Sequence, residues 1–155
     1  MKIIIGTANF DRKYGYTNYS IKSLKEIKKI LNYSIKNNVT YLDTAYSYIK
    51  NKNIKKIFNN SNLKIISKFS LNDLKLKKNF KYEVNKFLHE LSKLKIDTLL
   101  FHNSKDLTHT EHGKTLLELL KNFKRKNKFN KIGVSLYDLN ELKSILNIWK
   151  PDIIQ

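Results

Sequence analysis

Four residues of this chain have types and spacings suited to proton transfer: Asp43, Tyr48, Lys68 and His102. Asp43 closes the apolar run "VTYLDTA" (39–45), and Tyr48 follows it in the next turn of sequence. Lys68 sits near the end of "LKIISKF" (63–69), and His102 near the end of "DTLLFHN" (97–103). A carboxylate at the end of a buried strand costs on the order of several kcal/mol unless it is paired. Lys68, at the end of the next run, is its expected partner. The pair would neutralise itself and leave a positive end near Tyr48. A phenol titrates at about pH 10, and a nearby cation lowers that value. Tuned in this way, Tyr48 can donate a proton near neutral pH, a contribution typically worth about 10² to 10⁴ in rate. His102 can hydrogen-bond a substrate oxygen beside the phenol and hold it in line. The set suits protonation of a carbonyl oxygen while hydride reaches its carbon. Nothing in it supplies hydride, so a nicotinamide cofactor is implied.

Such residues work only if regular elements bring them to one rim. Six short β-branched runs stand out: "KIIIGTA" (2–8), "VTYLDTA" (39–45), "LKIISKF" (63–69), "DTLLFHN" (97–103), "KIGVS" (131–135) and "PDIIQ" (151–155). Each has the length of a strand and is apolar at consecutive positions, as expected where both faces are covered. Helical spacing fills the intervals. Ser20 is the expected cap of a first helix carrying Leu24, Ile27, Leu31 and Ile35. Ile54, Ile57 and Phe58 mark a second, and Val84, Phe87, Leu88, Leu91 and Leu94 a third. Leu116, Leu117, Leu120 and Phe123 mark a fourth. Leu139, Leu142, Ile145, Leu146 and Trp149 mark a fifth, with Asp138 as its cap.

Strand and helix alternate without a linker, which predicts parallel strands joined by right-handed crossovers. An open doubly wound sheet and a (β/α) barrel both satisfy that pattern. The doubly wound dinucleotide folds carry G-x-G-x-x-G after their first strand. Here that turn reads "GTANFD", with one glycine, and the barrel is favoured. The expectation is an α/β fold, a TIM-type barrel with about six parallel strands and five helices, and residues 1–155 as a single domain. In a barrel the catalytic residues project from the C-terminal ends of several strands. Asp43, Lys68, His102, Ser135 and Gln155 occupy those ends in runs two to six.

Composition narrows the function classes. The chain of 155 residues is 41% hydrophobic, enough to build a core. Its formal charge of +18 invites a nucleic-acid reading, since basic surfaces release counterions from phosphate. Against it, only Arg12 and Arg125 are arginine, the residue suited to bidentate phosphate and base contacts. The lysines are spread along the whole chain, so no nucleic-acid partner is expected. The same field would still attract small anions. There is no cysteine, which removes disulfides and thiolate metal sites. "HTEH" (109–112) offers two histidines without further ligands, so no metal is expected and a solvated loop or helix start is. No stretch approaches the roughly 20 apolar residues of a membrane span. A soluble, cytoplasmic protein is expected.

The motifs together resemble the aldo-keto reductases. "DTAYSY" is similar to the family's D-x-A-x-x-Y, "ISKF" to its strand-end lysine and "LLFHN" to its strand-end histidine. "GTANFDRKYG" is similar to the family's first strand and loop, and "KIGVS" to its fifth strand. The resemblance covers the whole chain. It implies a catalytic tetrad of Asp43, Tyr48, Lys68 and His102, with Tyr48 as the acid. It implies NADPH as cofactor, an aldehyde or ketone as substrate, and an eight-stranded barrel of which this chain is the N-terminal part. Gly6, Thr7, Asp43, Ser135 and Gln155 match cofactor-binding positions, the last two at the nicotinamide carboxamide. Leu136 stands where the family often has asparagine. The rival expectation is an inactive remnant or binding module of the same fold. A basic nucleic-acid-binding protein is a third and weaker one. By itself the 155-residue chain is expected to associate through open sheet edges and not to turn over substrate.

Overall fold

A computed structural model describes residues 3–13, 22–74 and 79–155. The described elements run β1 (Ile4–Gly6), α1 (Leu24–Lys36), β2 (Tyr41–Asp43), α2 (Lys52–Asn59), β3 (Lys64–Phe69), α3 (Phe80–Ser92), β4 (Ile96–Phe101), α4 (Lys105–Thr108), α5 (Gly113–Arg125), β5 (Lys131–Val134), α6 (Leu139–Ile148) and β6 (Ile153–Ile154). The strands are parallel and follow one another in chain order, an incomplete (β/α) barrel. All six expected strands are present. Among the described residues there are six helices rather than five, the addition being the four-residue α4. Contacts divide the chain into two compact units, Met1–Ser67 and Lys68–Gln155.

In the first unit, α1 begins at Ser23, whose hydroxyl accepts from the Glu26 N–H while the Glu26 carboxylate accepts from the Ser23 N–H. This reciprocal cap satisfies two amide donors that a helix start otherwise leaves open. The expected cap, Ser20, lies outside the described residues, and Ser23 takes the role because Glu26 stands three places on. Ile27, Leu31 and Ser34 form the buried stripe of α1, and Ile54 and Phe58 that of α2. Asn38, at φ 61°, turns the chain from α1 toward β2 in the left-handed region that asparagine tolerates. The strands here are short. Ile4 pairs with Tyr41, Ile5 with Leu42 and Gly6 with Asp43, and Asp43 in turn with Ile66. Ile3 and Ile4 are exposed.

The second unit has longer and drier strands. Five of the six residues of β4 are buried, and β5 buries three of four. Phe69, Phe101 and Leu99 are completely inaccessible. Phe69 lies 5.3 Å from Phe101 and 5.6 Å from Phe87, centroid to centroid, in the tilted geometry that aromatic pairs prefer. The α5 stripe of Leu116, Leu117, Leu119 and Leu120 closes this core. A Cβ added at Gly133 would meet the Ile153 carbonyl oxygen at 2.1 Å, so β5 and β6 approach through a glycine. Asp138 caps α6 by accepting from the Asn140 and Glu141 N–H groups, as its position before the apolar periodicity predicts. At the other end of β5, Asp152 accepts from the Ile132 N–H and from Lys124. No helix among the described residues is long and apolar enough to cross a membrane.

Candidate active site

The first unit contributes Gly6, Thr7, Asp43 and Tyr48. Gly6 and Asp43 are register partners at the C-terminal ends of β1 and β2. Thr7 then ties the two ends together. Its N–H donates to the Asp43 carbonyl at 3.0 Å and its hydroxyl to the same oxygen at 3.1 Å. Thr7 is buried, and its hydroxyl proton is therefore committed to holding Asp43 in place. A Cβ at Gly6 would meet nothing within 4 Å, so the space above that strand end is open. Tyr48 lies in the turn after β2, where its N–H donates to the Ala45 carbonyl at 3.0 Å. Two residues of the loop after β1 grip this turn. The Asp11 carboxylate accepts from the Lys50 and Asn51 N–H groups, both at 2.7 Å. The Arg12 guanidinium carbon stands 4.4 Å from the centre of the Tyr48 ring.

The second unit contributes Lys68, His102, Ser135 and Gln155. Lys68 lies near the end of β3, two residues beyond Ile66, and is 4% exposed. An ammonium buried to this degree is costly unless it is paired. The other three lie side by side at consecutive strand ends. Phe101 pairs with Val134 and Val134 with Ile154, so the next residue on each strand is His102, Ser135 and Gln155. Backbone bonds carry the register past the last pairs. His102 N–H donates to the Phe69 carbonyl at 2.7 Å, Ser135 N–H to Phe101 at 2.9 Å and Leu136 N–H to Gln155 at 2.8 Å. Beside His102 is a cavity of about 310 Å³ lined by Ser70, Asn72, Asn103, Lys105, Tyr137 and Glu141. A larger cavity of about 700 Å³ lies between α1 and α2 and is lined by none of the candidate residues.

In the segments that follow the ends of β3 and β4 sits an unusual carboxyl. Asp106 is buried in α4 and accepts from the Leu71 N–H at 2.9 Å. Burial pushes its carboxyl above the usual range, the Leu71 bond opposes that, and neighbouring Asp73 adds to it. The histidines of "HTEH" are engaged locally. His112 stacks on Phe80 at 4.0 Å and His109 bonds the Thr108 hydroxyl. No cluster of metal-ligating side chains occurs among the described residues.

Sequence reasoning placed every tetrad candidate at or just after a strand end, and that is where they stand. It passed over Asp11 and Arg12. Nothing in their spacing points to Tyr48, Lys50 and Asn51, which lie more than thirty residues away and meet them only through the fold.

The profile of the aldo/keto reductase family matches residues 2–155. A Pseudomonas aeruginosa protein assigned to the aldo-keto reductases superposes with a TM-score of 0.73 at 17% identity, over 97% of this chain and 61% of its own. The Bombyx mori aldo-keto reductase, solved with NADP, superposes at 0.67 and 17%, over 98% and 52%. The Klebsiella pneumoniae aldo-keto reductase, solved with NADPH, superposes at 0.62 and 18%, over 93% and 49%. This chain thus spans between about half and three fifths of the length of these structures. No curated protein matches it in sequence.

Proposed function

Because this chain belongs to the aldo/keto reductase family, we propose that it reduces the carbonyl group of a small aldehyde or ketone with NADPH, Tyr48 acting as the general acid. The observation that carries this reading is the series of strand ends: Asp43 on β2, Lys68 on β3 and His102 directly after β4, with Tyr48 in the turn after β2. These are the positions from which barrel enzymes work.

The residues present fit the cofactor. Ser135 and Gln155, adjacent on neighbouring strand ends, offer a hydroxyl and a primary amide. Each can both donate and accept, which is what a nicotinamide carboxamide requires. Gly6 leaves open space where a cofactor could approach β1, and Thr7 keeps the Asp43 carbonyl anchored beside it. When bound, NADPH supplies hydride to the carbonyl carbon. Tyr48 then gives its phenolic proton to the carbonyl oxygen. His102 donates a hydrogen bond to the same oxygen and orients it. In this reading Asp43 and Lys68 take the charged roles of the tetrad, an ammonium favouring the phenolate left after proton transfer. The side chains around the cavity beside His102 are polar or amphipathic, which favours a substrate carrying further oxygen atoms. Self-association through the exposed apolar residues of β1 and β6 belongs to the same reading, and size-exclusion chromatography measures it.

The test, on this segment joined to the further strands of an eight-stranded barrel, is NADPH binding by fluorescence together with NADPH oxidation against a panel of aldehydes. Tyr48→Phe is expected to reduce turnover by about 10² to 10⁴ while cofactor affinity stays unchanged, because only the proton donor is lost. A parallel loss of affinity would make Tyr48 a structural residue. A completed barrel that binds no NADPH and turns nothing over would leave the binding-module reading.

A further inference from the structure

The loop after β1 does more than connect. Asp11 and Arg12 are adjacent, and both act on the turn that carries Tyr48. Asp11 takes two backbone N–H groups at 2.7 Å, from Lys50 and from Asn51, the residue whose side chain caps α2. A carboxylate accepting two amides makes charge-assisted bonds, about twice as strong as neutral ones. This fixes the backbone on the C-terminal side of Tyr48, and the bond to Ala45 fixes it on the other. Arg12 then addresses the side chain. At 4.4 Å from the ring centre its guanidinium lies within the roughly 6 Å over which a cation is drawn to an aromatic face.

We propose that Arg12 is a positioning residue for Tyr48, its guanidinium holding the phenol ring and making the hydroxyl a stronger acid, with Asp11 fixing the loop that presents it. The physical argument is electrostatic. Ionisation adds a full negative charge to a ring that already attracts the cation, so Arg12 favours the phenolate over the phenol. A guanidinium keeps its charge throughout the working pH range, so the effect is constant where an amine's would titrate. The other charged groups on the two loops and the first turn of α2 are Asp11, Lys13, Asp43, Lys50, Lys52 and Lys55, the last with its ammonium 5.0 Å from the centre of the Tyr46 ring. Asp11 opposes the effect, but its charge is engaged by the two amides. Asp43 and Lys68 belong to the proposed tetrad, as does His102. Arg12 is a second source of positive potential, and it comes from within the same unit as the phenol. The catalytic meaning rests on Tyr48 being the acid, whereas the measurement below does not.

Tyrosine ionisation is followed at 295 nm, and the difference between the native chain and Tyr48→Phe isolates the Tyr48 transition. The same difference is taken in Arg12→Met and Arg12→Lys backgrounds. Arg12→Met is expected to raise the transition by about one pH unit, a tenfold loss of acidity, with unchanged far-ultraviolet circular dichroism. Arg12→Lys, which keeps the charge without the planar fork, is expected to recover at least about half of that shift. Should Arg12→Met not fold, Asp11→Asn loosens the loop and leaves the cation; it is expected to move the transition in the same direction by less. A transition unmoved in every variant that folds overturns the proposal, and so does Arg12→Lys matching Arg12→Met. The reductase reading fails separately, if NADPH oxidation by the completed eight-stranded barrel survives Tyr48→Phe whatever the titration shows.

Discussion

The two units hold their strand-end residues by different means. In the first, β1 and β2 have three residues each, Ile4 is exposed, and the ends are secured by side chains reaching across loops: Thr7 to Asp43, Asp11 to Lys50 and Asn51, Arg12 to Tyr48. In the second, β4 has six residues, and the row of His102, Ser135 and Gln155 is carried by strand register above a core of Phe69, Phe101 and Leu99. One part of the candidate site is positioned by polar contacts, the other by packing. Positions set by packing move only when the core is damaged. Positions set by loop contacts can be changed one bond at a time without unfolding the chain.

The largest effect should come from the packed unit. Phe69→Ala removes a completely buried ring in contact with two other aromatics, and a loss of about 3 to 5 kcal/mol is expected. Denaturant unfolding measures it. A loss below about 1 kcal/mol would show that packing does not hold this unit's strand ends. Asp11→Ala, in the loop-held unit, should have a smaller global cost and a local signature. The Lys50 and Asn51 amides lose their acceptor, and hydrogen exchange at those two positions should accelerate while β3 amides stay protected. Acceleration throughout the unit would mean that its core depends on the loop after all.

The smallest effect is an acid dependence confined to the second unit. Burial tends to raise the Asp152 carboxyl, but the Ile132 N–H and Lys124 outweigh it and hold the group below the ordinary carboxylate range. The folded state therefore releases this proton more readily than the unfolded chain. Its stabilisation is complete above the ordinary carboxylate pKa and fades as pH falls through the lowered value. Asp106 has the opposite sign: raised by burial, its contribution is complete below the ordinary carboxylate pKa and is lost as pH rises from there through the raised folded value. Asp152→Asn should flatten the acid limb of a pH–stability curve and Asp106→Asn the limb just above it. A curve unchanged by Asp152→Asn would show that this carboxylate contributes nothing to the fold.

The sequence announces what is local and periodic. Runs such as "KIIIG" and "DTLLF" are legible as strands because each holds a short stretch of consecutive apolar residues, and the polar residues that follow such runs fall at the rim by the same logic. The S-x-x-E of Ser23 and Glu26 was also readable, and it outranks Ser20 once the reciprocal bonds are considered. The helix α4 was not readable, because four residues are too few for a stripe. Nor was the pairing of Arg12 with Tyr48. It depends on how far a loop folds back, and no local pattern encodes that.

Gly133 sets a limit of another kind. The chain is rich in lysine, asparagine and isoleucine and has only four glycines, so its composition has room for nearly any position to drift toward those residues. At Gly133 that drift must stop. Even alanine's methyl would meet the Ile153 carbonyl oxygen at 2.1 Å, and both partners are backbone that must move together. A change there would push β6 away from β5 and carry Gln155 with it. In a library of random substitutions Gly133 should therefore be among the least tolerant positions, although it carries no side chain at all.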